Sequence, residues 1–532
     1  MNNRVIRTMV SFLMAGTLML GISACNDSPG EPPAPEDTEK DYSELLKDYT
    51  PSESTVTFSD EGMENVSVEP TFEIERYTNT AEGILQPYYI FTDGMCLQRD
   101  SVLRIFGTAP VATKKIAVSF REKVYYGRAE NGNWEVYLPK MTAGGPFEME
   151  IISNIGRVGI HNVYVGEVYL LSGQSNMEFT SYWNNSAISD LYEDAEACKN
   201  EKIRLANVQQ KREIGEPAQP KLFEKEVSWL GANATSIKGY SAVGYIFGRE
   251  MQKKLGCPVG LVCNAMGGSL IEYWMSQDAY TEYRANNTSY LDKSNDVLTN
   301  SLGFNGSVYP LGSYVFRGVV WYQGESNVNG TQSRYANALR ALINDWRTFF
   351  RNENLTFTLC ELARFSQDPL GYSTINEKIN EVAKEDDKVA VAINVDGGDW
   401  NDIHPADKHA IGTRAATETL RLFFGKAENS APKLVSAERV DEKTAKLILD
   451  KPVILRNGGN GFEIKTSVGW EYDLAVSAEG NVIVISSDKE FTEIRYGYRT
   501  KITTEVREDV SKFVTVFDEA GYPMDLFTVK LP

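Results

Sequence analysis

From about residue 166 to residue 425, short apolar runs alternate with longer amphipathic stretches. No other feature of the chain restricts its fold as strongly. The apolar runs are Val165–Ser172, Val259–Asn264, Gly318–Tyr322, Thr356–Leu362 and Val389–Val395. Between and after them, helical periodicity marks Tyr240–Leu255, Ser333–Arg351, Thr374–Asp386 and Asp407–Phe424. Nearly continuous apolar strands are buried on both faces, and helical crossovers join parallel neighbours. The pattern therefore predicts an α/β layer with a mainly parallel sheet. Ligands of open α/β sheets bind beyond the carboxyl ends of the strands. Four of the runs end in polar clusters: Ser172–Met177, Asn264–Ser269, Trp321–Asn327, and the group Asp396, Asp399 and Asn401–Pro405.

The flanks read differently. Residues 83–165 hold short runs such as Val102–Phe106, Lys115–Phe120, Trp134–Leu138 and Glu148–Ile152. Turn signals separate them, the clearest being Asn131-Gly132-Asn133 and Ala143-Gly144-Gly145-Pro146. Residues 430–532 return to short strands at Ala445–Leu449, Gly461–Ile464, Val482–Ser486, Glu493–Tyr498 and Phe513–Val516. Each flank is expected to be a β-sandwich-like region around the 166–425 core. The 532 residues correspond to roughly three to five units of ordinary domain size.

The first 25 residues read as an address. Arg4 and Arg7 precede an apolar run, Met9 to Leu20, that is short for a bilayer span, and Ile22-Ser23-Ala24-Cys25 follows. This resembles a bacterial lipoprotein signal, which implies lipidation of Cys25, export, and anchoring to an envelope membrane (periplasmic or cell-surface). Residues 26–82 begin as an acidic, proline-rich tether that cannot bury enough apolar surface to fold, and Val56 to Phe72 has room for a strand or two. The five cysteines after Cys25 form no CxxC pair. Cys263 and Cys360, in hydrophobic runs, read as small buried side chains.

Charge and histidine count narrow the chemistry. The formal net charge of −19 argues against nucleic acid, which needs clustered cations. Only His161, His404 and His409 exist, so a multi-histidine metal site is not expected, and no metal or cofactor is assigned. Of the three, only His404 follows a strand end. A serine hydroxyl is a weak nucleophile unless a base lies within hydrogen-bond reach. Ser175 and His404 are the natural pair, with a carboxylate to orient the ring. His161 and His409 read as structural or solvent-facing.

Here the motifs become specific. Ser172–Met177 resembles the first block of the SGNH (GDSL-like) hydrolases, in the form found in the sialate O-acetylesterase family. Trp321-Tyr322-Gln323-Gly324-Glu325-Ser326-Asn327 and Asp402-Ile403-His404-Pro405 resemble that family's later blocks. Flanking pieces at Asp93–Arg99, Ala143–Pro146, Ser241–Tyr245, Asn305-Gly306 and Arg495–Tyr498 extend the resemblance over about residues 83–530. It implies an SGNH-type three-layer core and a serine carbohydrate esterase. Such an enzyme removes O-acetyl groups from a glycan through an acetyl-enzyme, with sialic acid as namesake substrate and acetylated xylan or pectic sugars as alternatives. Most relatives in the broad class carry Asp three positions before the histidine. Asn401 stands there in this chain, so the third member is Asp402 or, as an alternative, Asp399.

Negative charge developing on the attacked carbonyl oxygen needs preorganised donors. The backbone N–H groups of Ser175 and Gly267 are the candidates, with Gly268 as a neighbour, and Gln323 is the expected side-chain amide, with Asn327 as the alternative. Arg317 and Arg414 are the nearby cations for a sialate carboxylate. Trp183, Trp274 and Trp400 are candidate sugar platforms. Two other readings compete. A surface glycan-binding lipoprotein would have no need of both the Ser175 and His404 blocks. A serine peptidase lacks support from any GxSxG elbow. Protein partners are not assigned.

Overall fold

A computed structural model describes residues 56–58, 66–68, 84–180, 200–208, 223, 225–286, 301–328, 330–366, 369–427, 429–498, 512 and 514–532. The signal, Cys25, Cys198, Trp183 and most of the tether lie outside the described residues. Within the extension, Val56–Phe58 and Val66–Val68 pair antiparallel.

The organising element is one long strand, Gly156–Gly173. Its second half pairs in parallel with Val259–Ala265 on one side and Gly318–Tyr322 on the other. Beyond the first lies Asn200–Asn207, parallel, and then Trp229–Ala232, antiparallel. Beyond the second lie Thr356–Cys360 and Val389–Ala392, both parallel. Residues 318–322 and 356–360 are buried at every position, which explains why they read as unbroken apolar runs. Asn200–Asn207 and Trp229–Ala232 are absent from the sequence reading, since the polar start and exposed positions of these outer strands blur the apolar signal. The strands expected to reach Leu362 and Val395 end at Cys360 and Ala392.

Helices follow the strands. Ser241 caps Ala242–Leu255 by accepting from the Gly244 amide, and Gly256 ends it in the left-handed region. This helix packs closely on His409–Phe424, where a Cβ on Gly412 would stand 2.8 Å from Ile246. Tyr335–Phe349 and Pro369–Glu385 pack together likewise. Trp274, Trp321 and Trp346 form an edge-to-face chain in the core, with ring centroids 6.1 and 5.7 Å apart.

The first half of Gly156–Gly173 belongs to the preceding β region, pairing antiparallel with Gly144–Ser153. The boundary expected at 165/166 therefore falls inside a strand, and one hydrophobic core spans both sides of it. Asn131 and Gly132, at φ 48° and 81°, make the two-residue turn that joins Arg128–Glu130 to Asn133–Leu138. The Asp93–Arg99 block is structural. Cys96–Gln98 pairs with the long strand, Gln98 accepts from the Val168 amide at 2.8 Å, and Gln98 and Arg99 both donate to Glu167.

Among the described residues, the C-terminal region includes two four-stranded sheets. One contains Leu434–Asp441, Thr444–Leu449, Val482–Ser486 and Ala475–Glu479; the other contains Gly469–Glu471, Phe462–Thr466, Glu493–Tyr496 and Phe527–Lys530. Leu447, Ile483, Ile464 and Ile494 share its core. Arg364, 2% exposed, ties this region to the α/β core. It donates to Ser373 Oγ at 2.6 Å, to the Val395 carbonyl at 3.1 Å, and to the Gly497 carbonyl. This accounts for the Arg495–Tyr498 block: Gly497, at φ 80°, turns its carbonyl onto a buried cation.

Candidate active site

The Ser172–Met177 and Trp321–Asn327 blocks interlock through the backbone. Gly173 sits at φ 135°, and a Cβ there would lie 2.1 Å from the Tyr322 carbonyl oxygen. Only glycine permits that approach and that dihedral. The Gln174 amide donates to the same carbonyl at 3.0 Å. Gln174 Oε1 in turn accepts from the Gly324 and Ser326 amides at 3.3 and 3.2 Å. The chain then enters the short helix Ser175–Glu178.

Ser175 is 7% exposed, and its Oγ lies 2.8 Å from His404 Nε2. A hydroxyl bonded to a neutral imidazole can pass its proton to the ring as it attacks a carbonyl. The His404 imidazole titrates below its ordinary value. Burial is the main cause, Asp402 opposes it, and the Lys408 ammonium adds to it.

Asp402 Oδ1 accepts the His404 backbone amide at 2.8 Å, an Asx turn. The same oxygen stands 3.9 Å from Nδ1, beyond hydrogen-bond reach. Asp399 makes the analogous turn one step earlier, accepting the Asn401 amide at 2.8 Å.

Gly267 comes beside the nucleophile: a Cβ on it would meet Ser175 Cβ at 3.4 Å and Glu178 Oε2 at 3.2 Å. Its N–H, expected to face an oxyanion, donates to Glu178 Oε2 at 2.8 Å. Gly268 takes the turn at φ 76°. The side-chain amides require a correction. Gln323 is fully buried, and its Nε2 donates to Gln174 Oε1 (3.1 Å), the Ser269 carbonyl (3.0 Å) and Asn327 Oδ1 (2.8 Å). Asn327 Nδ2 donates to Glu272 and Thr331, both at 3.1 Å. Both amides face the interior as hubs that bind the strand-end blocks together, so neither faces the Ser175 hydroxyl as a free donor.

The other expectations sort by contact. Arg414 donates to both oxygens of Asp396, at 2.6 and 2.9 Å, and to the Ile393 carbonyl. Arg317 precedes Gly318–Tyr322 at the end of the strand opposite the Gln323 block and lies over the Phe424 ring. Neither is poised at Ser175. Trp274 is a fully buried core residue whose Nε1 donates to Ser269 Oγ, and Trp400 packs on the C-terminal core. His161 pairs with Glu148, and His409 Nδ1 lies 3.0 Å from Asp407. Cys96, Cys257, Cys263 and Cys360 are buried free thiols.

Three residues around the pair had no assigned role. Asn176 Nδ2 donates to Glu325 Oε1 at 2.6 Å and to the Ile403 carbonyl at 3.0 Å, while its Oδ1 accepts from Lys408 Nζ at 2.9 Å. Lys408 is 1% exposed, and burial lowers its ammonium to about 7. Burial likewise raises Glu325 to about 7. Asn176 and Glu325 lie inside the recognised blocks and Lys408 only four residues past His404, but a lysine in a polar stretch ordinarily reads as solvated.

An α/β core that holds a serine–histidine pair beyond its strand ends is equipped for acyl transfer, the chemistry of a carboxylic ester hydrolase. Known proteins sharpen that class. Residues 165–420 match the family described as carbohydrate esterase, sialic acid-specific acetylesterase. The chain is 27% identical to human sialate O-acetylesterase over 381 residues, which is 63% of this chain and 70% of that protein. Mouse sialate O-acetylesterase is 28% identical over 302 residues, 48% of this chain and 54% of the mouse protein. A carbohydrate acetylesterase from Xanthomonas citri has the same fold, with TM-score 0.72 and 26% identity, over 84% of this chain and 99% of that one. The protein is a carbohydrate O-acetylesterase.

Proposed function

We propose that Ser175 and His404 remove O-acetyl groups from sialic acid through an acetyl-enzyme. The observation that carries this reading is the 2.8 Å contact between Ser175 Oγ and His404 Nε2 beside the ends of the parallel strands. Ser175 Oγ attacks the acetyl carbonyl carbon while its proton moves to Nε2. The tetrahedral intermediate collapses, the C–O bond to the sugar breaks, and the imidazolium returns the proton to the departing sugar oxygen. Water then attacks the acetyl-enzyme with His404 again as base, releasing acetate and restoring the serine. Asp402 serves as the third member by holding the histidine loop. The backbone N–H of Ser175 remains the oxyanion donor in this reading, and that of Gly267 joins it when Glu178 yields.

The family and the mammalian relatives support sialate as substrate. Acetylated xylan is the second reading, favoured by one observation: Arg414 is engaged with Asp396 and Arg317 lies at the far strand end, so neither meets a sialate carboxylate. In this proposal an SGNH-type three-layer core spans 166–425, with β-sandwich-like regions at 83–165 and 430–532. Lipid on Cys25 and the 26–82 tether hold the enzyme to an envelope membrane. Acetate release from O-acetylated sialic acids, xylan and pectin, with Ser175→Ala beside the parent protein, tests the assignment. Release from sialic acids that vanishes in the variant is expected. Release from xylan alone would replace the substrate.

A further inference from the structure

The carbonyls on either side of His404 are both held by buried side chains, and those side chains hold each other. Asn176, adjacent to the nucleophile and 1% exposed, donates to the Ile403 carbonyl at 3.0 Å. Lys408, equally buried, donates to the Pro405 carbonyl. Lys408 Nζ also donates to Asn176 Oδ1 at 2.9 Å and lies 4.6 Å from the centre of the Phe179 ring. The other end of the Asn176 amide is fixed by Glu325 Oε1 at 2.6 Å, on the block that follows Gly318–Tyr322. Ser175 and His404 come from segments 229 residues apart, and this bridge of one amide and one ammonium joins the residues next to them.

We propose that Lys408 and Asn176 are positioning residues that clamp the Ile403–Pro405 loop to the Ser175 helix and so set the serine–histidine contact. The inference rests on the reading of Ser175 and His404 as nucleophile and base. A fully buried lysine is costly to desolvate, and a Met of similar length would fill its space more cheaply. The structure keeps the cation where it binds the loop that carries the histidine. The charge has a second effect. His404 faces Asp402, Lys408 and the Ser175 hydroxyl, and Lys408 itself faces Glu325, Asp407 and Asp402. Within this set the ammonium disfavours a charged imidazole, which keeps the ring neutral and competent as a base.

The test compares Lys408→Met and Asn176→Ala with the parent enzyme and Ser175→Ala, using acetate release from an acetylated substrate across pH. A misplacement of the base on the order of 1 Å costs about 100-fold in rate. Lys408→Met is expected to lower kcat by about 10–100-fold, with KM nearly unchanged. Its acid limb of kcat/KM should move to higher pH, because loss of the cation eases protonation of His404. Asn176→Ala should lower kcat while the acid limb stays, since the ammonium remains. A purely structural role for Lys408 would lower the melting temperature and leave the pH profile in place. An unmoved limb with parental kcat in folded Lys408→Met, or parental kcat in Asn176→Ala should the first variant not fold, would overturn the clamp. Those results with inert Ser175→Ala overturn the clamp alone. Turnover by Ser175→Ala overturns the serine assignment and the clamp with it.

Discussion

Asp402 holds His404 by its backbone and not by its ring: Oδ1 accepts the histidine amide at 2.8 Å and stands 3.9 Å from Nδ1. A carboxylate that fixes the tautomer through Nδ1 is worth about 10⁴ in kcat in serine proteases. Here Asp402→Asn keeps an oxygen for the Asx turn, so its loss should fall well short of that, below about 100-fold. Asp399→Asn, one turn removed, should cost less. Steady-state kinetics of the two variants checks both, and a loss near 10⁴ for Asp402→Asn would mean that the ring closes onto the carboxylate in the substrate complex.

Burial, aided by Lys408, lowers the His404 pKa. The neutral ring is the base, so a lowered value extends activity toward acid. The acid limb of kcat/KM should therefore fall below about 6.5, the ordinary histidine value. A pH–rate profile reads it directly, and a limb above that value would contradict the electrostatics of the site.

Gly173 has no room for a side chain, with φ at 135° and the Tyr322 carbonyl 2.1 Å from a built Cβ. Gly173→Ala should cost at least ~2 kcal/mol, because a strained dihedral and a backbone clash coincide in the central strand. Denaturant unfolding measures the loss.

Gln323 distinguishes hub from oxyanion donor. Its Nε2 serves three buried acceptors, so Gln323→Leu should destabilise the fold by about 1–3 kcal/mol by removing these buried bonds. Parental unfolding with a collapsed kcat would instead show that the amide turns to the substrate.

The α/β layer was legible because its inner strands are buried on both faces. Gly318–Tyr322 matches its apolar run residue for residue. The outer strands Asn200–Asn207 and Trp229–Ala232 were not legible, since partial exposure removes the signal. The boundary expected at 165/166 falls within Gly156–Gly173, because the change of texture there marks a change of neighbours along one strand. Motif and strand-end logic singled out Ser175 and His404, which the fold brings to 2.8 Å. Gln323 misled because an amide next to a site looks the same in sequence whether it faces the substrate or the interior. Lys408 was hidden because its burial depends on Asn176 and Phe179, more than 200 residues away.

In the proposed reaction Ser175 is the nucleophile and His404 its base. The most direct measurement is labelling with a serine-reactive fluorophosphonate, with the modified residue located by peptide mass spectrometry. Modification of Ser175 in step with loss of acetate release is expected, together with slow labelling in His404→Ala. Full inactivation with the label on another residue, or undiminished labelling in His404→Ala, would contradict it.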